Sequence, residues 1–156
     1  MAWTNSQRSV IASGLAAVAL GAGLAVPAHA FAADTGEQQR VVQLVNDQRA
    51  SAGCGPVTED QRLTEAANAH SSDMTARGYF SHTTPDGVTF DQRIKKAGHP
   101  SPGAENIAQG QRSADQVMDS WMNSAGHKRN ILNCSLKTIG VGVDTGGWAW
   151  TQDFGY

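Results

Sequence analysis

The sequence predicts an α/β domain: a three-layer α-β-α sandwich with a small, largely antiparallel central sheet flanked by about four helices. Three observations predict it. Four strings with the form of a capping box, Thr35/Gln38, Thr58/Gln61, Thr89/Gln92 and Ser113/Gln116, each precede a helical pattern. Toward the C-terminus the period switches from that of a helix to that of a strand, with turn formers between two alternating runs. Those runs carry one bulky aromatic face and one face of small residues, so helices can cover the sheet on both sides.

The elements follow in order. Helix one is expected near residues 37–50, burying Val41, Leu44 and Val45, and is stopped by Gly53, Gly55 and Pro56. Helix two is expected near residues 59–77, with Leu63, Ala66, Ala67, His70 and Met74 on one stripe and Gly78 as its end. Helix three is short, near residues 90–97, and ends at Gly98 and Pro100. Helix four runs near residues 114–123, with Ala114, Val117, Met118, Trp121 and Met122 facing inward. Ile139, Val141 and Val143 then alternate with Thr138, Gly140 and Gly142, while Trp148, Trp150 and Phe154 alternate with Ala149, Thr151 and Asp153. With the turn formers of residues 144–147 this is a β-hairpin, and residues 105–109 make a short third strand.

Ahead of these elements lies a different kind of segment. Arg8 is followed by an uncharged apolar run over residues 10–26 and by Ala28-His29-Ala30, small residues at the spacing of a cleavage site. Residues 1–30 therefore read as a secretory signal peptide, residues 31–37 as a short flexible tail, and residues 38–156 as one domain. Cleavage two or three residues later, within Phe31-Ala32-Ala33, fits as well. A membrane anchor is disfavoured, because the run falls short of the ~20 apolar residues a spanning helix needs. The expected product is a secreted, extracellular monomer with no membrane span.

Removing the leader leaves 126 residues, with 11 basic against 14 acidic side chains and a net charge of −3. Such a balance excludes nucleic acid and anionic membrane surfaces as partners, since both demand basic clusters. Lys95-Lys96 and Lys128-Arg129 are only pairs. Cys54 and Cys134 make an even count, which in a secreted chain suggests a disulfide; free buried thiols are the alternative, and neither cysteine has a ligand partner at metal spacing.

Three polar residues stand out: His82, Glu105 and His127. Two imidazoles and a carboxylate are ligand types that zinc prefers, and would leave one position for water. On the residues alone, hydrogen bonding of both histidines to Glu105 explains the cluster without a metal, because no compact motif such as His-Glu-x-x-His ties the ligands together. His70 lies on the apolar stripe of helix two and reads as a buried, hydrogen-bonded histidine that could line a cleft from below. Ser81 and Ser124 stand near histidines but lack a nucleophile-elbow string.

Four strings in order, Ala69-His70-Ser71-Ser72-Asp73-Met74, Tyr79 to Gly87, Gly103-Ala104-Glu105-Asn106-Ile107-Ala108 and Trp121 to Leu132, resemble the bacterial branch of the CAP superfamily, also called SCP. That superfamily includes cysteine-rich secretory proteins, antigen 5 and pathogenesis-related proteins. The resemblance covers the whole of residues 38–156 and implies an α-β-α sandwich with a solvent-accessible cleft. It places His82, Glu105 and His127 in that cleft as ligands for one divalent cation, most often zinc. Ser124 stands where animal and plant members often carry a second acid, and is a poorer ligand. The resemblance also implies extracellular ligands, with lipid, peptide and cell-wall components as candidate classes. Three functions follow: a cation- and ligand-binding extracellular module; a metal-assisted hydrolase acting on peptide or cell-wall material, with Glu105, His82 and His127 as its machinery; and a purely structural or interaction domain. The residues favour the first. No catalytic residue is assigned otherwise, since no oxyanion device is recognisable.

Overall fold

The computed structural model describes residues 28–156. Its elements are helix α1 (Ala28–Ser51), strand β1 (Thr58–Glu59), helices α2 (Gln61–Arg77) and α3 (Phe90–Lys96), strand β2 (Pro102–Gln109), helices α4 (Ala114–Met122) and α5 (Ala125–Ile131), and strands β3 (Thr138–Asp144) and β4 (Ala149–Gly155). The four strands form one sheet in the order β1-β3-β4-β2. β3 pairs with β4 and β4 with β2, both antiparallel, while the two-residue β1 runs parallel to β3. Helices cover both faces, and the expected three-layer sandwich is what the chain adopts.

The alternation of the hairpin sorts the two faces. Ile139, Val141, Val143, Trp150 and Phe154 join Val41, Val45, Val117, Met118 and Trp121 in one buried cluster, so α1 and α4 close this side. Both buried indoles are satisfied: Trp121 Nε1 donates to the Ile107 carbonyl at 3.2 Å and Trp150 Nε1 to the Gln111 carbonyl at 2.8 Å. On the opposite face α2 lies directly on β3, because Gly140 and Gly142 present no Cβ. An added Cβ would stand 2.1 Å from the Leu63 backbone and 2.3 Å from the Ala67 backbone.

Several expectations need correction. α1 begins at Ala28 rather than at Glu37, so the segment expected as a flexible tail, residues 31–37, continues the helix; its alanines have the highest helix propensity. Most of the expected secretory signal, residues 1–27, lies outside the described residues. Among the described residues there are five helices, residues 125–131 forming a short α5 beside the roughly four expected. Thr58 is paired in β1, and α2 is capped instead by Asp60, which accepts from the Arg62 N–H at 2.9 Å. Ser113 caps α4 as expected, but Gln116 reaches back to the Arg112 N–H at 2.8 Å instead of that of Ser113. Trp148 lies in the hairpin turn at φ 48°, not in a strand.

Cys54 and Cys134 are joined in a disulfide across a sequence separation of 80 residues. It links the turn after α1 to the chain just beyond α5. For a loop of this length the chain-entropy model gives a stabilisation between about 3 and about 4.7 kcal/mol.

Candidate functional site

Glu105 is the centre of the site. The alternation of β2 turns it to the α2 face of the sheet, directly opposite Asp153 of β4. Its side chain is only 1% exposed, and both oxygens are occupied: Oε1 faces His82 Nδ1 at 2.8 Å, and Oε2 accepts from the Arg93 guanidinium at 2.5 Å. His82 comes from the loop after α2. Gly78, at φ 66°, ends that helix in the left-handed conformation that a residue without a Cβ adopts freely. Arg93 of α3 then holds the loop, since its Nη1 donates to the carbonyls of His82 at 2.9 Å and Val88 at 3.2 Å. Both ends of His82 are thus anchored, side chain to Glu105 and backbone to Arg93. In the neutral ring this contact puts the proton on Nδ1 and leaves Nε2 as an acceptor. The His82 side chain is 52% exposed, so that acceptor faces a cleft. The cleft has a volume of about 340 Å³ and is lined by His82, Phe90, Gly103, Ala104, Glu105 and Asn130.

His127 sits half-buried in the first turn of α5, and its Nδ1 is buried without a hydrogen-bond partner. Burial, and next the charge of His82, hold its imidazole below the ordinary histidine range. The backbone around it is pinned to the sheet: Asn106, on the opposite face of β2, donates to the His127 carbonyl at 3.3 Å and to Gln152 at 2.9 Å, while Asn130 donates to Asn106 at 2.8 Å. Ser124 is the N-cap residue of α5. His70 is buried at 1% exposure and bonds the Ser81 carbonyl through Nε2 at 3.0 Å, with the Tyr79 hydroxyl at 3.4 Å from Nδ1. Burial lowers its pKa. His70 and Arg93 also line a second, larger pocket of about 480 Å³ between α2 and α3.

Two residues of the site were not anticipated. Arg93 belongs to no motif in the sequence and stands two residues before the Lys95-Lys96 pair, yet its side chain is only 11% exposed. Asp153 is fully buried, and neither of its oxygens receives a donor from the protein. Burial, and next the neighbouring Glu105 charge, push its carboxyl well above the usual range. An acid at an inward position of a strand is the signal that could have found it.

This upward shift has a consequence for stability. A raised pKa means that the stability tied to Asp153 is fully present below about pH 3.8, the unfolded value, and is lost as the pH rises through the folded one. Asp153→Asn cannot ionise and keeps the shape. We expect it to gain several degrees of Tm relative to the parent between pH 4 and pH 7, read from thermal melts. A constant offset at all pH values would mean that Asp153 is ionised in the fold. His70 and His127, with lowered pKa values, act in the opposite sense, losing stability as the pH falls below about 6.5.

A zinc ion on His82, Glu105 and His127 can be tested against this geometry. Both Glu105 oxygens are engaged, one of them by a guanidinium. Among the described residues, no group of three His, Cys, Asp or Glu side chains is placed to hold a metal ion. The arrangement does not fit a metal as it stands.

The three-layer α-β-α sandwich places the chain in a known class of domain. The chain belongs to the CAP family, described as the cysteine-rich secretory protein family, whose model matches residues 42–154. It is 40% identical over 118 residues to the uncharacterized protein YkwD of Bacillus subtilis, covering 75% of this chain and 46% of that protein. To the uncharacterized membrane protein YlbC of the same organism it is 32% identical over 122 residues, covering 77% of this chain and 34% of that protein. The chain thus spans less than half the length of these relatives. Among solved structures, it resembles an extracellular SCP-domain protein from Bacillus anthracis, with a TM-score of 0.78 and 30% identity over 86% of this chain and 45% of that one. The fold is shared with an outer surface protein of Borrelia burgdorferi, with a TM-score of 0.67 and 23% identity over 75% of this chain and 90% of that one. Among the described residues, no helix is long and apolar enough to cross a membrane.

Proposed function

We propose that the protein is a secreted extracellular module that binds a small or extended organic ligand in the cleft beside His82 and Glu105. The observation that carries this reading is the anchoring of His82. Its ring is held by Glu105 at 2.8 Å and its backbone by Arg93 at 2.9 Å, so an exposed hydrogen-bond acceptor is presented in a fixed orientation. A partner donating a hydroxyl or amide hydrogen to Nε2 would meet a preorganised site. Secretion is supported by the leader-like residues 1–30 and by the description of the Bacillus anthracis neighbour as extracellular. Cell-wall fragments and peptides supply both hydroxyl and amide donors, and lipid is the third candidate class.

One observation favours a second reading, hydrolysis. A histidine whose Nδ1 faces a buried carboxylate leaves Nε2 able to accept a proton from an attacking water. A single experiment separates the two. Isotope-labelled protein purified from culture medium is titrated with soluble peptidoglycan fragments, with a short peptide and with phosphatidylglycerol vesicles, by NMR and by mass spectrometry of the mixtures. Ligand binding predicts shifts around residues 82, 105 and 130 for one probe, at least tenfold weaker in His82→Ala, with the probe intact. Cleaved probe, lost in Glu105→Gln, would establish hydrolysis. No shift with any of the three would leave the purely structural role.

A further inference from the structure

We propose that Arg93 is the resident cation of the cleft, and that the cleft of this chain therefore takes no divalent metal. Four features carry this. First, the two oxygens that Glu105 would offer to a metal are bonded to His82 and Arg93, at 2.8 and 2.5 Å. Second, the pair is shielded: the side chains are 1% and 11% exposed, so the guanidinium charge is poorly screened and would repel a second cation at the same carboxylate. Third, Arg93 cannot swing aside cheaply. Its Nη1 also carries the carbonyls of His82 and Val88, so moving it would release the loop that positions His82. Fourth, among the described residues that line the cleft Glu105 is the one acid. Asp153, its neighbour across the sheet, is fully buried and is not part of that lining. Ser124 stands in place of a further carboxylate.

The Glu105 carboxylate is therefore already paired with one full positive charge. A zinc ion held by Glu105 and an imidazole would need contacts of about 2.0–2.2 Å, and so would lie within a few ångströms of the guanidinium. Arg93 does what a metal would otherwise do there: it neutralises the buried carboxylate and orients His82. This holds whether or not the cleft binds an organic ligand.

Zinc titration of the untagged protein, by calorimetry and by melting with and without chelator, tests the proposal. The parent protein should show no zinc site that His82→Ala removes, and equal Tm values with zinc and with chelator. Arg93→Ala should gain a zinc-dependent rise in Tm and bind zinc at least tenfold more tightly than the parent, and adding His82→Ala should abolish both. Stoichiometric zinc binding by the parent, lost in His82→Ala, would overturn the proposal outright. It would equally fall if Arg93→Ala bound zinc no better than the parent. Should Arg93→Ala fold poorly, Arg93→Gln takes its place, and the parent titration retains its power to refute by itself.

Discussion

Gly142→Ala is expected to lower the Tm by more than about 10 °C, corresponding to a loss above about 3 kcal/mol in a domain of this size. The new Cβ would stand 2.3 Å from the carbonyl carbon of Ala67 and from the amide nitrogen of Asn68. Those are backbone atoms in the middle of α2, so no side chain can rotate away. Either the helix lifts from the sheet or β3 bends. Lifting the helix also strains the site, since His82 follows α2 and both His70 and Met74 lie on the buried face of that helix. Gly140→Ala meets the same obstacle one turn earlier, at Leu63. Gly126→Ala is the control. It lies in α5 with nothing within 4 Å of the added Cβ, and should be neutral or gain roughly 0.5–1 kcal/mol. Thermal and urea unfolding of the three variants decides the matter. A Gly142→Ala protein melting within about 2 °C of the parent would mean that α2 is not seated on the sheet as described.

The same glycines show why so much of the fold can be read from the chain. Alternation of Ile139, Val141 and Val143 with glycine is a local pattern of period two, and it identifies both a strand and the face that a helix must approach. The stripe of α2 is equally local. β1 escaped notice because two residues, Thr58 and Glu59, cannot show a period. α5 escaped because its string Ala-Gly-His-Lys-Arg-Asn-Ile buries one apolar residue, Ile131, and so has no stripe. The start of α1 is expected too late because Thr35 and Gln38 have the form of a capping box, whereas the helix runs straight through them. At the site the limit is different. His82, Glu105 and His127 stand out by residue type and by resemblance to a family, but the partners of Glu105 depend on long-range pairing. Asp153 meets it only because β4 lies between β3 and β2, and Arg93 only because α3 folds back along β2. Neither adjacency leaves a periodic trace in the sequence.

Arg49→Ala is expected to cost on the order of 4 kcal/mol. Arg49 is 1% exposed, and among the described residues no carboxylate meets its guanidinium. Instead its Nε donates to the Gly55 carbonyl, Nη1 to those of Ile131 and Asn133, and Nη2 to that of Leu136, each at 2.9 Å. Burial lowers its pKa, but a guanidinium stays protonated in proteins, so among the described residues the charge is met by carbonyl dipoles. The side chain thereby gathers the end of α1, the end of α5 and the approach to β3 around one planar fork. Truncation leaves two fully buried carbonyls without donors, at about 1–3 kcal/mol each, and adds the cavity of the lost side chain. Arg49→Met refills the volume without the donors and should recover only the cavity part. Arg49→Lys offers one nitrogen in place of a fork and should fall between Met and the parent. The Cys54–Cys134 disulfide holds the same junction, so the two losses should be strongly coupled: with the disulfide reduced, Arg49→Ala is expected to lose cooperative unfolding altogether. Urea unfolding with and without reductant measures this coupling. If Arg49→Ala cost less than about 1 kcal/mol in both conditions, water would be able to replace the guanidinium, and the junction would be more open than the structure has it.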